Sequence, residues 1–313
     1  PLDLRVRVID LARLDIVEAG QTLGFRNLRA SLDGTGARYR LNGIALETPW
    51  AEASGQIELG KDAPFALQGR VDAARSDPVP VSARLELTGQ LAAPVFQLNA
   101  AAVRMRFLAH GEAAPFARVR LPRLTVAGEG IDPRQFLADA PSADLAFSGV
   151  FEGQPGERLL GSFSLNNRLA GRLDQQRLPL VNLTGAVLGD SVQADFSALL
   201  IDLGAAGRFS GAGQWRNGRF ALNLQSPRLN LAGLHGDLHA TGIRTVLQLA
   251  GDATRQTLSA EVAETWGTGS LTVSHADAVV RLEAANFSGQ KGRLAATGTL
   301  QLEAPRAFAA KID

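Results

Sequence analysis

Cysteine is absent from this chain of 313 residues, which excludes a disulfide framework, a thiolate nucleophile and cysteine-bound zinc. Tyrosine occurs once and tryptophan three times, so the aromatic girdles of an outer-membrane barrel are missing. No apolar run reaches the ~18 residues of a membrane helix, and no signal peptide opens the sequence. The net charge is only +1, whereas nucleic-acid binding needs a concentrated basic face. We therefore predict no nucleic-acid partner.

The chain starts and stops inside repetitive sequence. It opens on the strand-like stretch "LDLRVRVID" and closes just after "GRLAATGTLQLEA". No linker and no shift of composition divides it. We interpret it as a fragment of a longer protein and expect one continuous β-rich segment over residues 1–313.

What the sequence does contain is alternation of apolar and polar residues almost from end to end. Stretches such as "SARLELTGQL" and "GRFALNLQS" alternate strictly, which is typical of half-buried strands. Turn signals such as Asp33-Gly34 and Asn217-Gly218 separate them at intervals of roughly 8–12 residues. The pattern predicts an all-β antiparallel meander of about 20 strands.

One stretch, "IDPRQFLADAP", departs from this pattern. Asp132 suits a helix N-cap, Pro133 suits the first helical position, and Phe136 with Leu137 forms an apolar patch before Pro141. We predict at most one short helix, near 132–140.

Glycine recurs within strands on the apolar parity, as in "DLAFSGVFEGQPGERLLGSFSLNN" over residues 144–167. A glycine on the inner face lets a sheet curl without a clash. These positions predict one long, strongly curved sheet with its apolar face inside. A solid-cored sandwich or barrel also shows alternation and remains an alternative. The predicted sheet-bending glycines are Gly69, Gly89, Gly149, Gly161, Gly211, Gly213 and Gly298.

The apolar parity defines the predicted lining of a groove, with Ser148 and Ser162 outside it. Such a surface shelters hydrocarbon, since each buried CH2 contributes about 0.8 kcal/mol. The predicted lining residues are Leu41, Ile57, Leu59, Phe65, Leu67, Val71, Leu85, Leu87, Leu91, Leu145, Phe147, Phe151, Leu159, Phe163, Leu165, Phe209, Phe220, Leu222, Leu224, Leu229, Leu231, Leu300 and Leu302.

Signals for catalysis are missing. His235 and His239 are four residues apart, which on a strand means about 13 Å and is too far to chelate one metal ion. The sequence has no G-x-S-x-G nucleophile elbow and no phosphate-binding loop. We predict no enzyme, no metal and no cofactor. A carbohydrate-active β-structure with a pair of converging carboxylates stays open as an alternative.

Several segments resemble the TamB/AsmA-like family, which includes the large subunit of the translocation and assembly module. They are "NNRLAGRLDQQRLPL" (166–180), "GRFSGAGQWRNGRFALNLQSPRLNLAGL" (207–234), and the stretch from Thr241 to Asp277 that includes Trp266-Gly267. The opening "FRNLRASLDGTGARYRLNGIALETPW" has the same cadence. The resemblance covers nearly all of the chain.

The resemblance implies a β-taco, a long sheet folded around a hydrophobic groove, in a protein anchored in the bacterial inner membrane by a segment outside this fragment. It implies a periplasmic location, a TamA-like outer-membrane barrel as partner, and a non-enzymatic role in conducting phospholipids between the membranes during outer-membrane biogenesis. The alternative function is a chaperone-like scaffold that holds nascent outer-membrane strands for assembly with the barrel partner, through β-augmentation.

Overall fold

The computed structural model of the chain describes residues 3–18, 21–76, 80–135, 137, 139–290, 292–303 and 307–313. It is all-β: its 21 antiparallel strands form an open sheet that does not close on itself, which confirms the predicted fold class. The strands are β1 (Arg5–Glu18), β2 (Gln21–Asp33), β3 (Arg38–Glu47), β4 (Glu52–Gly60), β5 (Ala66–Arg75), β6 (Val81–Gln90), β7 (Ala93–Ala102), β8 (Met105–Glu112), β9 (Arg123–Ile131), β10 (Leu145–Gln154), β11 (Arg158–Asn167), β12 (Asn182–Gly189), β13 (Gln193–Asp202), β14 (Arg208–Arg216), β15 (Arg219–Leu229), β16 (Ile243–Gly251), β17 (Arg255–Glu264), β18 (Gly267–Ala276), β19 (Val279–Gly289), β20 (Gly292–Gln301) and β21 (Phe308–Ile312).

The chain divides into two compact units. The first comprises Pro1–Ile131 with Ala146–Glu157, and the second comprises Asp132–Leu145 with Arg158–Asp313. The first therefore holds β1 to β9 and most of β10, and the second holds β11 to β21. The expectation of a single continuous segment over residues 1–313 stays a prediction.

Within each unit the strands follow one another as an antiparallel meander. In the first unit each strand from β1 to β9 pairs with the next. In the second the same holds from β11 to β21. Among the described residues of each unit, extensive contacts between strands are those between such neighbours. Each strand is therefore held by the strands beside it rather than by a second layer.

Beta-bulges keep apolar residues on one face where the alternation slips. In β3 the register shifts between Leu41 and Ile44, around Gly43 with φ of +60°. In β13 it shifts between Phe196 and Leu199, where Ala198 has φ of +49°. A bulge inserts one extra residue, so an apolar spacing of three replaces the spacing of two without turning the strand over.

The predicted helix is a single 3-10 turn, Pro133–Gln135. Asp132 caps it as expected, because its carboxylate accepts the backbone N–H of Arg134 at 3.1 Å. Phe136 lies outside the described residues, and Leu137 is exposed. Three further 3-10 turns, which the sequence did not predict, cover Leu173–Gln175, Gly204–Ala206 and Leu231–Gly233. A turn of three residues is too short for a helical apolar period to show in the sequence.

Candidate functional site: an apolar sheet face

In the first unit, one sheet face carries apolar residues in rows that cross the strands. Each member of a row is the direct antiparallel partner of the next, and seven strands span ~29 Å at ~4.8 Å per step. One row consists of Leu41, Ile57, Gly69, Leu87, Phe96, Gly111 and Leu124. The row beside it consists of Gly55, Val71, Leu85, Leu98, Ala109 and Val126.

The second unit repeats this arrangement over eleven strands. Its main row, which we call the long row, contains no polar side chain and spans ~48 Å at ~4.8 Å per step. The long row consists of Gly161, Val187, Phe196, Gly213, Leu222, Leu249, Leu258, Val273, Leu282, Gly298 and Ala310. A parallel row, equally apolar, consists of Leu199, Gly211, Leu224, Leu247, Ala260, Leu271, Ala285, Ala296 and Ile312.

The opposite face carries most of the polar and charged side chains, together with exposed apolar residues such as Leu108, Leu200 and Val246. In the first unit, Asp72 accepts hydrogen bonds from Arg84 Nε at 2.6 Å and from Arg70 Nε at 2.9 Å. The bond from Arg84, followed by that from Arg70, lowers the pKa of the Asp72 carboxyl. In the second unit the row Asn223, Gln248, Ser259 and Thr272 faces outward. The face with the apolar rows therefore suits hydrocarbon, whereas the opposite face suits water.

No packed core covers the apolar faces. Of the buried hydrophobic residues in the described part of the chain, six are alanines and only four are larger: Ile44, Leu199, Phe209 and Ile243. The remaining large apolar side chains of the rows are half-buried, except Ile312 in β21, which is exposed. The accessible surface is 19840 Å², whereas a compact monomer of this length exposes ~12,500 Å². The apolar rows thus present hydrocarbon-compatible surface that the described residues of their own unit do not enclose.

Phenylalanine rings fill the space beside glycines on these faces. In the first unit a methyl group built on Gly111 would meet Phe96 Cε1 at 2.7 Å, and one on Gly128 would meet Phe147 Cδ1 at 2.8 Å. Both distances are shorter than any van der Waals contact. Glycine is therefore required where these rings lie.

The second unit contains two more such pairs. A methyl group on Gly185 would meet Phe163 Cζ at 3.0 Å, and one on Gly269 would meet Phe287 Cε1 at 2.7 Å. In three of the four pairs, glycine and phenylalanine are direct cross-strand partners. This is the arrangement in which an aromatic ring covers a strand glycine.

Most predicted lining residues lie on strands with half-buried side chains. They are Leu41, Ile57, Leu59, Leu67, Val71, Leu85, Leu87, Leu145, Phe147, Phe151, Leu159, Phe163, Leu165, Phe220, Leu222, Leu224 and Leu229. Phe209 is buried, and Leu300 on β20 is exposed. Ser148 and Ser162, expected outside, are both exposed.

Four predicted lining residues lie off the strands, which corrects the sequence-based placement. Phe65 occupies the turn before β5 with φ of +56°, its N–H bonded to Asp62 at 2.8 Å, and is 43% exposed. Leu91 follows β6, Leu231 begins a 3-10 turn, and Leu302 follows β20. The alternation of apolar and polar residues continues into these turns, so the sequence pattern extends beyond the ends of the strands.

The glycines predicted to bend the sheet show a range of surroundings. Gly69 lies between Ile57 and Leu87, which a methyl group would meet at 3.3 and 3.5 Å. At Gly213 a methyl group would overlap Leu222, and at Gly211 and Gly298 it would run into the backbone carbonyls of Asn223 and Ala309. Gly89 is the last residue but one of β6 and has φ of +105°. Gly149 is buried and Gly161 half-buried within their strands. Bending at these positions stays a prediction, whereas close approach of neighbours is observed.

The predicted lining omitted the middle of the second unit. Leu247, Leu249, Leu258, Leu271, Val273 and Leu282 lie in its two apolar rows. The signal was present, because "TVLQLAG" and "SLTVSH" alternate as strictly as the stretches that were selected. The sequence analysis also missed the glycines that a phenylalanine ring covers, because those rings are identified only once strand register is known. They are Gly111, Gly128, Gly185 and Gly269.

Residues considered for chemistry do not converge. His235 and His239 lie in the connection between the 3-10 turn Leu231–Gly233 and β16, and His235 Nδ1 is 3.8 Å from the carboxylate of Asp237. In the part of the chain that the structure describes, no three His, Asp or Glu side chains are grouped to hold a metal ion.

Two open concavities lie on the sheets. One, of about 790 Å³ in the second unit, is lined by residues from both faces, among them Gly269 and Phe287 as well as Arg244 and Ser270. The other, of about 850 Å³ in the first unit, has Ser54 and Ser82 among its lining residues.

No described helix is long and apolar enough to span a membrane. Comparison with protein-family models, curated proteins and solved structures finds no match to this chain. The resemblance to the TamB/AsmA-like family therefore stays a prediction from the sequence.

Proposed function

We propose that the chain is a segment of a non-enzymatic conduit for phospholipids, whose acyl chains lie on the apolar rows. The observation that supports this is the long row, eleven apolar positions without a polar side chain, whose large side chains are only half-buried in their own unit. Exposed apolar surface of this extent marks an interaction site. Uniform rows favour movement, because no position binds hydrocarbon much more tightly than the next.

The rows suit acyl chains better than a protein strand. The long row offers no side-chain hydrogen-bond donor or acceptor. A strand laid on it would bury backbone polar groups without partners, at a cost of about 1–3 kcal/mol for each group. An acyl chain has no such groups, and each CH2 that it buries contributes about 0.8 kcal/mol.

Location and partners follow from the sequence resemblance. We infer a periplasmic setting between the inner and outer membranes, an inner-membrane anchor and a TamA-like barrel partner beyond this fragment. The polar opposite face suits an aqueous compartment, since its arginines and carboxylates are paired in contact with solvent.

The test is lipid extraction and mass spectrometry of the purified chain, with two matched variants. Leu249→Glu places a carboxylate in the long row, and Gln248→Glu places one on the neighbouring position of the polar face. We expect phospholipid in the wild-type and Gln248→Glu proteins, and several-fold less in Leu249→Glu. A lipid-free wild-type protein that instead binds barrel-strand peptides would overturn the conduit in favour of the scaffold. Equal lipid in the two variants would show that the long row does not carry it.

A further inference from the structure

The four phenylalanine–glycine pairs determine how far their rings rise from the sheet. At Gly269 and Gly128 a methyl group would overlap the partner ring, at Phe287 and Phe147 respectively. The backbone behind each ring is fixed by the strand ladder, so a ring displaced by a methyl group moves away from that backbone and outward from the apolar face. All four phenylalanines are half-buried, so their outer surfaces border the space above that face.

We propose that these pairs are specificity-determining positions, which keep the apolar face low enough for an extended acyl chain to lie in contact with it. This inference rests on the proposed lipid-carrying function. The role it assigns to these glycines is separate from the bending of a sheet. The ligand class it specifies is a flexible, unbranched hydrocarbon chain, because only such a chain follows a shallow path between rows of side chains.

The position of the pairs supports this role. Gly269 and Phe287 flank the row of Leu271 and Ala285, two residues further along β18 and two back along β19. Phe96 and Gly111 are members of the row that runs from Leu41 to Leu124 in the first unit. A raised ring would therefore stand in or directly beside the rows on which hydrocarbon is proposed to lie.

Gly69 provides a matched control. It lies on the same apolar face and in the same row as Gly111, but its neighbours are Ile57 and Leu87. A methyl group there would sit at 3.3–3.5 Å from these flexible side chains and displace no ring. Gly69→Ala thus adds the same atoms without the predicted obstruction.

The experiment measures binding of a fluorescent sixteen-carbon fatty acid, and its displacement by palmitate, to the folded full chain. We expect Gly269→Ala to weaken binding about tenfold, equivalent to burying roughly two fewer CH2 groups. The double variant Gly269→Ala/Phe287→Ala is expected to bind more tightly than Gly269→Ala, because the methyl group then has no ring to raise. Gly69→Ala should weaken binding less than Gly269→Ala does, because its methyl group displaces no ring.

A second site keeps the inference falsifiable if Gly269→Ala does not fold. Gly128→Ala and Gly128→Ala/Phe147→Ala repeat the comparison in the first unit. Wild-type affinity in folded Gly269→Ala or Gly128→Ala would overturn the inference, as would double variants that stay as weak as the single ones. Failure of the wild type to bind fatty acid would instead overturn the proposed function, so the two failures are distinguishable.

Discussion

The ring of Phe287 lies against the α-carbon of Gly269 on the neighbouring strand, where a methyl group would come within 2.7 Å of Phe287 Cε1. The two residues are direct antiparallel partners of β18 and β19. Glycine is costly inside a strand because it fixes a flexible backbone and packs nothing itself. Here the neighbouring ring occupies the space that a side chain would take, so the cross-strand partner recovers part of that cost.

The first prediction concerns this pair. Gly269→Ala should destabilise the chain by about 1–3 kcal/mol, because an added carbon in a filled site forces the ring off its rotamer. Gly69→Ala should have a smaller effect, since its neighbours are side-chain atoms at 3.3 Å or beyond. Thermal unfolding of both variants, and of Gly269→Ala/Phe287→Leu, tests the coupling. The coupling is contradicted if the unfolding free energy of the double variant equals the value obtained by adding the effects of its two single substitutions.

The second prediction concerns Lys61, whose side chain is only 2% exposed. Its ammonium binds the carboxylate of Asp3 at 2.8 Å, donates to the Gly34 carbonyl and lies 5.0 Å from the Tyr39 ring centroid. Lys61→Met should cost about 1–3 kcal/mol, because the Gly34 carbonyl loses a buried donor.

Asp3→Asn should cost less, because Asp3 is 73% exposed and the amide oxygen of asparagine still accepts the hydrogen bond from Lys61. The matched control is Lys311→Met, which breaks the exposed pair with Asp313 and should leave urea unfolding unchanged. Equal effects of Lys61→Met and Lys311→Met would show that burial of the ammonium does not matter.

The third prediction concerns Asn167, a buried amide that ties two connections of the second unit together. Its Oδ1 accepts the N–H groups of Asp144 and Leu169, both at 3.0 Å, and its Nδ2 donates to the Leu178 carbonyl at 3.2 Å. Asn167→Ala should cost about 2–4 kcal/mol, because three backbone groups lose their partner. Hydrogen exchange should accelerate at the Asp144 and Leu169 amides. The substitution Asn166→Ala, at the exposed neighbouring residue, should leave the exchange rates of both amides unchanged.

The fourth prediction concerns acid stability at the turn between β16 and β17. The Asp252 carboxylate accepts the hydroxyl and backbone N–H of Thr254 and the N–H of Arg255, which lowers its pKa to about 2. A depressed folded-state pKa stabilises the fold above the unfolded value of 3.8 and loses this effect as pH falls toward 2.

Asp252→Ala should therefore lower the melting temperature at pH 7 and approach the wild type near pH 2. Asp252→Asn keeps an acceptor without a titrating group, so its melting curve should lack this pH dependence. A deficit of Asp252→Ala that is the same at both pH values would contradict the assignment of the carboxylate.

Alternation was enough to predict the all-β class, because among the described residues of each unit no second layer packs over the strands to blur the period. It failed at Phe65 and Leu302, where the same rhythm runs on into turns. It also selected glycines by their position along a strand. The partners of Gly128 and Gly269 come from neighbouring strands, and register depends on hairpin lengths and bulges that single-strand patterns do not encode. The function proposed for the apolar face rests on that register.

The hairpin meander also has a consequence for how such a chain changes length. Every strand contacts its immediate neighbours, so one hairpin more or less leaves the remaining ladders intact, as in repeat proteins. Each added pair of strands extends the apolar rows by ~10 Å. A gene encoding this architecture thus adjusts the reach of its product in steps of two strands. The 24 residues from the start of β17 at Arg255 to the start of β19 at Val279 show the length of one such step.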